Sequence, residues 1–450
     1  MKHILVLGAG RSVSTLIQYL LNQSKELDWY VTVGDVSLDL AKAKVNGRQN
    51  GKAIRFDVLN EVQREEEIRK ADIVISMLPT QFHHLVAQSC IKFAKKLVTA
   101  SYVSKEIKEL DGEAKKKGII ILMEMGVDPG IDHMSAKKVI DRIQNNGGEL
   151  SVFKSFTGGL VAPGYENNPW GYKFTWNPRN VVLAGNETVK FIRNGRYKYI
   201  PTHQIFTRIE KVGFAGYGVF EAYPNRDSLR YRDVYNLQNI HTIFRGTLRK
   251  PGFCSAWNLL VKLGLTDDSF VLEDSENMTY RELVNTFLVY KTEVRVEQKV
   301  SEYLGISEDS DEMQRLKWLG LFEDRKIGLP GVSPAKILQN LLEEKWALEP
   351  DDKDMLLMQH QFEYEIQGKQ KKLISSMVTI GDNAINTAMA KTVGLPLGIA
   401  VKLILSGQIT LTGVQIPTLK EIYEPVLDEL AGMGINFVEE KVGKQLTVDN

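Results

Sequence analysis

Residues 125–134 read MGVDPGIDHM and place two aspartates, a proline, two glycines and a histidine after an apolar run. Carboxylates and an imidazole at the mouth of a buried strand are suited to proton transfer or to stabilising a positive charge. The same residues also predict a turn, in which Pro129 lies in the first turn of a helix and Asp128 is its cap. We predict that Asp128 is the functional residue of this cluster, and that Asp132 and His133 are mainly helix and hinge residues.

A second candidate site follows the first apolar run, ILVL, where the chain continues as GAGRSV and then becomes helical. Gly8 permits a tight turn, and Gly10 lets the backbone approach a pyrophosphate at a helix N-terminus. Val13 stands where the dinucleotide-binding fingerprint has its third glycine, so the motif is imperfect. The residues predicted to bind a dinucleotide cofactor here are Gly8, Gly10, Arg11, Ser12 and Val13.

Asp35 ends the second apolar run, at about the 20-residue spacing expected for an acid that binds the adenosine ribose. A carboxylate there accepts hydrogen bonds from both ribose hydroxyls and repels a 2′-phosphate, and no arginine follows it closely. This pattern favours NAD as the cofactor over NADP. The structural alternative is that Asp35 caps the next helix.

Apolar runs and helical patterns alternate through the first 125 residues. Near-continuous apolar strands separated by helices predict a doubly wound parallel sheet of the Rossmann type, an α/β fold with its ligand at the carboxyl ends of the strands. The predicted strands are Ile4–Leu7, Tyr30–Val33, Ala53–Phe56, Ile73–Met77, Leu97–Thr99 and Ile119–Leu122.

Further candidates stand where the later strands end. Adenine is expected beside the third strand, and the nicotinamide and the substrate are expected to meet beside the fifth and sixth. In chain order these candidates are Asp57, Val58, Leu78, Ala100, Ser101, Tyr102, Val127, Asp128 and Pro129.

The composition excludes several other classes of protein. The 450 residues are 43% hydrophobic and 25% charged with a net charge of +1, which is typical of a globular protein of two or three domains. We expect no nucleic-acid partner, because no cluster of lysine and arginine with interleaved aromatic residues is present. The two cysteines, Cys90 and Cys254, form no CxxC pair, which excludes a cysteine-based zinc site, and we expect no metal.

No apolar stretch approaches about 20 residues, so we expect no membrane span. The N-terminal segment MKHILVLGAG fits a first strand better than a signal peptide, and we expect a cytoplasmic protein. A homodimer is the expected assembly, because it is the commonest one for soluble proteins.

Eight segments together resemble the glutamate-forming saccharopine dehydrogenases, also called saccharopine reductases. They occur in the order of that family and span nearly the whole chain, which makes the combination specific. The segments are GAGRSVS, VISMLP, VTASYVS, MGVDPGIDHM, GGLVAPGYENNPWGYKFTW, YPNRDS, HTIFRGTLRKPGF and AKTVGLPLGIAVKLILSGQI.

The resemblance implies a reversible oxidoreduction of lysine metabolism. Saccharopine, NAD(P) and water would be interconverted with glutamate, 2-aminoadipate 6-semialdehyde and NAD(P)H through an imine. Fungal relatives generally carry an arginine after the second strand and use NADP. Asp35 makes this chain more similar to the members that use NAD.

The resemblance also implies the substrate residues. Saccharopine has three carboxylates, and arginine binds a carboxylate through two parallel hydrogen bonds, which makes Arg245 a further candidate. Asp128 and Tyr102 are the expected proton carriers, and Asn177 is expected beside the nicotinamide. The residues expected around saccharopine are Ser101, Tyr102, Asp128, Arg226, Thr247, Leu248 and Arg249.

Three domains are expected. Residues 1–127, with about 385–450, would form the cofactor-binding Rossmann domain. Residues 128–265, with about 366–384, would form an α+β domain whose mixed sheet binds substrate and supports dimerisation. Residues 266–365 have a helical pattern and would form a small insert.

Other functions fit less well. A metal hydrolase built on Asp128, Asp132 and His133 lacks any recognised metal-binding spacing. A carboxynorspermidine dehydrogenase, an imine reductase of polyamine synthesis, has a substrate that needs fewer arginine contacts. A silent NAD-binding protein would be expected to have lost both Tyr102 and Arg249.

Overall fold

The computed structural model of the protein describes residues 1–442. The chain is divided into two compact units. The first unit contains Met1–Leu150, Lys353–Met358 and Tyr364–Asn450, and the second contains Ser151–Asp352 and Gln359–Glu363.

The strands and helices of residues 1–442 alternate in the first third of the chain. The strands are β1 (Lys2–Leu7), β2 (Trp29–Asp35), β3 (Gly51–Arg55), β4 (Ile73–Ser76), β5 (Lys96–Thr99), β6 (Ile120–Leu122), β7 (Glu149–Val161), β8 (Val189–Arg193), β9 (Arg196–Ile200), β10 (Glu210–Phe214), β11 (Gly218–Pro224), β12 (Thr242–Arg249), β13 (Asp354–Ile366), β14 (Lys369–Ile380), β15 (Gly413–Gln415) and β16 (Val438–Val442). The α-helices are α1 (Ser14–Gln23), α2 (Leu38–Val45), α3 (Glu61–Lys70), α4 (His83–Lys92), α5 (Lys105–Glu109), α6 (Asp111–Lys116), α7 (Ile131–Asn145), α8 (Pro178–Val182), α9 (Arg230–Val234), α10 (Phe253–Lys262), α11 (Tyr280–Thr286), α12 (Val296–Leu304), α13 (Asp311–Leu319), α14 (Pro334–Lys345), α15 (Ala388–Leu405) and α16 (Lys420–Gly432).

The first unit is built on a seven-stranded sheet with the order β15-β6-β5-β4-β1-β2-β3. Every neighbouring pair in it is parallel. The prediction of a doubly wound Rossmann-type sheet is confirmed. The order reverses between β1 and β4, which is where such sheets bind their ligands.

The C-terminal segment completes this sheet. Strand β15 pairs with β6. Helix α15 packs closely on α1 at Gly394, where the lack of a side chain permits the approach: a Cβ there would lie only 2.7 Å from the backbone nitrogen of Leu16. Asp354 accepts the first two backbone N–H groups of α15, from Ala388 at 2.5 Å and from Met389 at 3.0 Å. By length and composition α15 would be long and apolar enough to cross a membrane, but 78% of it is buried inside the protein.

The second unit contains a mixed sheet, as predicted. Strands β10, β11 and β12 pair in antiparallel fashion, and β12 then pairs with β7 in parallel. The hairpin of β8 and β9 pairs with the same sheet through β12. Helices α11 to α14 cover residues 280–345, the region in which a helical pattern was predicted.

An aromatic core supports the substrate candidates of the second unit. Trp170 lies 5.4 Å from Trp346 between ring centroids, and Phe253 stacks on Trp257 at 5.5 Å. Tyr172 packs edge-on against Trp346 at 5.1 Å. Aromatic side chains contribute large buried areas, so the segment NPWGYKFTW is held as part of a core.

Candidate active site

The glycine-rich turn after β1 is tightly closed at one glycine and open at the other. Gly8 has a φ of +105°, and a Cβ there would lie 2.7 Å from the carbonyl oxygen of Met77. Gly10 has a φ of −66° and a ψ of −171°, which any residue can adopt, and a Cβ there would meet no atom within 4 Å. A single turn of 3₁₀ helix, Arg11–Val13, leads from Gly10 into α1. This open space beside the start of a helix fits the phosphates of a dinucleotide.

Asp35 holds the glycine-rich turn in place. One carboxylate oxygen accepts the backbone N–H of Ala9 at 2.7 Å, and the other accepts that of Ser37 at 2.9 Å. Ser37, rather than Asp35, caps α2. Asp35 thus links the glycine-rich turn, through Ala9, to the segment that follows β2, through Ser37.

The candidates after β3 and β4 differ in their exposure to solvent. Asp57 is exposed, and its carboxylate accepts the backbone N–H of Leu59 at 2.9 Å. Val58 is only 6% exposed, and Leu78 packs against the hydrophobic core of the first unit. These contacts place Val58 and Leu78 mainly in the core, and their contact with a cofactor stays a prediction.

Tyr102 and Asp128 meet at the sheet edge. The hydroxyl of Tyr102 donates to Oδ1 of Asp128 at 3.1 Å. They come together because β5 and β6 are adjacent parallel strands whose carboxyl ends share one edge, and Ala100 and Ser101 lie in the same loop after β5. A phenol hydrogen-bonded to a carboxylate has the chemistry to hold or transfer a proton.

Glu124, which the sequence analysis did not identify, organises this loop. It is 1% exposed, and its φ is +60°. Its backbone N–H donates to the carbonyl of Ser101 at 3.0 Å, and a carboxylate oxygen accepts the N–H of Val103 at 3.0 Å. The other oxygen lies 2.7 Å from Nε2 of His133. A carboxylate inside the apolar run GIIILMEMG was the available signal, because a buried charge needs partners.

The turn that follows β6 differs from the expected one. The peptide bond between Asp128 and Pro129 is cis, and α7 begins at Ile131 with Gly130 as its N-cap. The carboxylate of Asp132 accepts the N–H of Gly130 at 2.6 Å. The interpretation of Asp128 as the helix cap is therefore wrong. Val127 and Pro129 are buried, whereas Asp128 is partly accessible.

His83 is a second residue that the sequence analysis missed. Its Nδ1 lies 2.8 Å from the hydroxyl oxygen of Ser76, at the end of β4, and its Nε2 lies 2.7 Å from that of Ser101. Burial lowers the pKa of His83 to about 4, so the ring is neutral at neutral pH. Within residues 1–442 no group of three or more histidine, cysteine, aspartate or glutamate side chains is placed to hold a metal ion.

Arg249 of the second unit is a buried cation with an incompletely satisfied guanidinium group. Its side chain is 2% exposed, donates to the carbonyl of Leu248 at 2.8 Å and lies 3.4 Å from the hydroxyl of Tyr223. Its guanidinium carbon lies 4.9 Å from the ring centroid of Tyr172 and 5.2 Å from that of Phe253. Nε has no hydrogen-bond partner in the part of the chain that the structure describes. Because a buried cation is costly without an anion, this environment suits a carboxylate ligand.

Three other candidates of the second unit lie on β12 together with Arg249. Arg245, Thr247 and Arg249 project from one face of β12, and Leu248, which is fully buried, projects from the opposite face. The guanidinium of Arg245 stacks on the ring of Tyr231 at 4.1 Å.

Arg226, in contrast, is exposed, and its φ is +42°. Asn177 is exposed and caps α8, since its side-chain oxygen accepts the N–H of Arg179 at 3.0 Å. Thr157 is paired in register with Thr247, and its hydroxyl has no partner among the described residues. The roles of Arg226 and Asn177 stay predictions.

Comparison with known proteins identifies matches along the chain. Residues 4–122 match the family description "Saccharopine dehydrogenase NADP binding domain", and residues 126–435 match "Saccharopine dehydrogenase C-terminal domain". The saccharopine dehydrogenase [NADP(+), L-glutamate-forming] of Schizosaccharomyces pombe is 35% identical over 99% of this chain and 100% of its own length. The enzyme of that name from Saccharomyces cerevisiae is 34% identical over 98% of this chain and 99% of its own.

A solved structure agrees with these sequence matches. Apo histidine-tagged saccharopine dehydrogenase (L-Glu forming) from Saccharomyces cerevisiae superposes with a TM-score of 0.89 at 33% identity. The match covers 98% of this chain and 100% of the yeast chain.

The expectation of NAD as the cofactor is wrong. The full-length relatives carry NADP(+) in their names, and the matching N-terminal family description is that of an NADP binding domain. The argument for NAD assumed that the Asp35 carboxylate is available to the ribose and repels a 2′-phosphate. In the structure both of its oxygens accept backbone N–H groups of the first unit.

Proposed function

The chain belongs to the saccharopine dehydrogenase family, and from this premise we propose that it is an NADP-dependent, L-glutamate-forming saccharopine dehydrogenase. It interconverts saccharopine, NADP and water with L-glutamate, 2-aminoadipate 6-semialdehyde and NADPH. The observation that carries this proposal is the similarity to enzymes of that activity over the full length of both chains. No observation favours the carboxynorspermidine alternative, and it is not retained.

The first unit supplies the groups that would hold NADP. The open backbone at Gly10 and the tight turn at Gly8 suit the pyrophosphate, with Arg11, Ser12 and Val13 at the start of the helix. When bound, NADP supplies the nicotinamide that accepts a hydride from the substrate. The protein orients the reacting groups and manages the protons.

The reaction requires proton transfers at two stages, when the secondary amine loses its proton before hydride transfer, and when water adds to the iminium and the proton passes to the departing nitrogen. The secondary amine of saccharopine must be unprotonated before hydride leaves the adjacent carbon of the lysine moiety, which produces an iminium. Water then adds to that carbon, and the carbon–nitrogen bond breaks to give an aldehyde and the amine of glutamate. The paired Tyr102 and Asp128 are the groups of the first unit that we assign to these protons, and the charge of Asp128 also stabilises an iminium.

The second unit supplies binding groups for carboxylates. Arg249 is buried with an unsatisfied Nε, and a substrate carboxylate would satisfy it through a charge-assisted hydrogen bond. Thr247 projects from the same face of β12, and the exposed Arg226 is a second cation for the remaining carboxylates. We also retain a homodimer and a cytoplasmic location as proposals, to be checked by light scattering and by cell fractionation.

The deciding experiment is a spectrophotometric assay of the purified protein. Saccharopine and NADP at alkaline pH should give the absorbance of NADPH, and carboxynorspermidine should give none. Asp128→Asn should lower kcat far more than it raises either KM, because the amide cannot accept a proton. Asp309→Asn, at an exposed position of the second unit that is not among the candidate site residues, serves as the control. Absence of NADPH formation by the wild-type protein would remove the proposal.

A further inference from the structure

His83 links the ends of two adjacent strands through two serine hydroxyls. Ser76 is the last residue of β4, Ser101 follows β5, and the imidazole of the first residue of α4 lies between them. The two contacts measure 2.8 Å and 2.7 Å. Ser76 is fully buried and His83 is 2% exposed, whereas Ser101 is partly exposed.

The direction of these hydrogen bonds follows from the burial of Ser76. The side chain of Ser76 makes its hydrogen bond with the ring, and a buried donor without an acceptor is costlier than an unused lone pair. The Ser76 hydroxyl therefore donates to Nδ1. A neutral imidazole carries one proton, which then lies on Nε2 and is donated to the oxygen of Ser101.

Among residues 1–442, no protein acceptor is placed for the hydroxyl hydrogen of Ser101. The N–H at Nε2 of His83 donates to one lone pair of the Ser101 hydroxyl oxygen. The backbone N–H of Ser101 donates to the hydroxyl oxygen of Thr99 at 3.4 Å. The hydroxyl oxygen is fixed in position, and its own O–H is available to a ligand at the sheet edge. This edge is also where Tyr102 and Asp128 meet.

We propose that His83 is a positioning residue that fixes Ser101 as a hydrogen-bond donor to a carboxylate or carbonyl oxygen of the substrate. The inference rests on the proposed function, since that function makes the ligand at this edge a dicarboxylic amino acid. A purely structural histidine would stabilise the fold without affecting the affinity for saccharopine.

Two variants with amide side chains distinguish the contact of His83 with Ser76 from its contact with Ser101. The amide of glutamine reaches as far as Nε2 and keeps a donor beside Ser101. The amide of asparagine reaches only as far as Nδ1 and keeps the contact with Ser76. His83→Gln should therefore retain most of the affinity for saccharopine, whereas His83→Asn should raise its KM roughly tenfold or more. The KM for NADP should change little in both variants.

A double-mutant cycle tests whether His83 acts through Ser101. Ser101→Ala should raise the KM for saccharopine to a similar extent as His83→Asn, and the double variant should be no worse than either. Equal impairment of His83→Gln and His83→Asn, or additive effects in the cycle, would overturn the inference. A parallel rise in the KM for NADP would also overturn it.

Nitrogen NMR of histidine-labelled protein provides a readout that does not depend on activity. The signal of His83 is assigned among the seven histidines by its loss in His83→Gln, and it should report a neutral ring with the proton on Nε2. A proton on Nδ1 would contradict the proposed direction, even if His83→Asn failed to fold. Inactivity of the wild-type protein toward saccharopine, with the proton on Nε2, would instead remove the proposed function.

Discussion

Gly10→Ala should separate cofactor binding from folding. Gly10 has backbone angles that alanine adopts without strain, and a Cβ there would meet no protein atom within 4 Å. Replacing glycine at such a position stabilises a protein by about 0.4–1 kcal/mol, because the unfolded chain loses conformational freedom. The melting temperature of Gly10→Ala should therefore equal or slightly exceed that of the wild type.

The same methyl group would occupy the space assigned to the pyrophosphate. Overpacking by one methyl group in a close contact costs about 1–3 kcal/mol, which corresponds to a roughly 5- to 160-fold rise in Kd. Fluorescence titration with NADPH measures this Kd directly, and thermal melting of the same samples measures stability.

Two other glycines of the first unit make the comparison specific. Gly112 in α6 also has no atom within 4 Å of an added Cβ, and Gly112→Ala should leave the Kd for NADPH unchanged. At Gly8 the positive φ and the carbonyl of Met77 at 2.7 Å should make Gly8→Ala lose folding stability. If Gly10→Ala binds NADPH with the affinity of the wild type, the backbone at Gly10 does not approach the cofactor and the reasoning is refuted.

Three further outcomes are expected. Arg249→Gln should raise the KM for saccharopine roughly tenfold or more while the KM for NADP stays constant, because it removes the charge that a carboxylate would pair with; equal changes in both constants would argue against carboxylate binding. Asp354→Ala removes the acceptor of the first two N–H groups of α15 and should lower the free energy of unfolding by about 1–2 kcal/mol, measured in urea; an unchanged midpoint would show that these two hydrogen bonds contribute nothing. His83 has a pKa of about 4 in the folded protein, below the ordinary histidine value of 6.5 that applies to the unfolded chain, so the unfolded chain binds its proton first as the pH falls. Stability should decline between pH 6.5 and 4, by at most about 3 kcal/mol from this residue, and the decline should be smaller in His83→Gln; identical slopes would contradict the burial of a neutral ring.

The local sequence pattern was sufficient to predict much of the secondary structure of the first unit. The run ILVL followed by GAGRSV predicts a buried strand and a phosphate-binding turn, and β1 and α1 form there. This works because apolar periodicity and glycine act over a few neighbouring residues. The cofactor was mispredicted from Asp35 because its carboxylate is engaged by the N–H of Ala9, a contact across 26 positions that a local pattern does not encode.

The roles of residues that contact partners far away in the sequence could not be predicted from local sequence patterns. His83 and His84 are adjacent and so do not face one metal ion from a helix, and the local pattern indicates no other role for them. The link of His83 to Ser101 depends on the pairing of β4 with β5. The carboxylate of Glu124 inside an apolar run signals that it has partners, but only the fold shows that it holds the loop that carries Tyr102.

The sequence by itself determined the alternation of strands and helices, the positions of the candidate residues at strand ends, and the resemblance to a family. Each of these depends on residue type and spacing along the chain. Only the tertiary structure decided that Tyr102 donates to Asp128, that Asp35 is engaged by the glycine-rich turn, and that Arg249 is buried with an unsatisfied Nε. Hydrogen-bond satisfaction and burial depend on which distant segments pack together, and for a single chain that information exists only in the folded state.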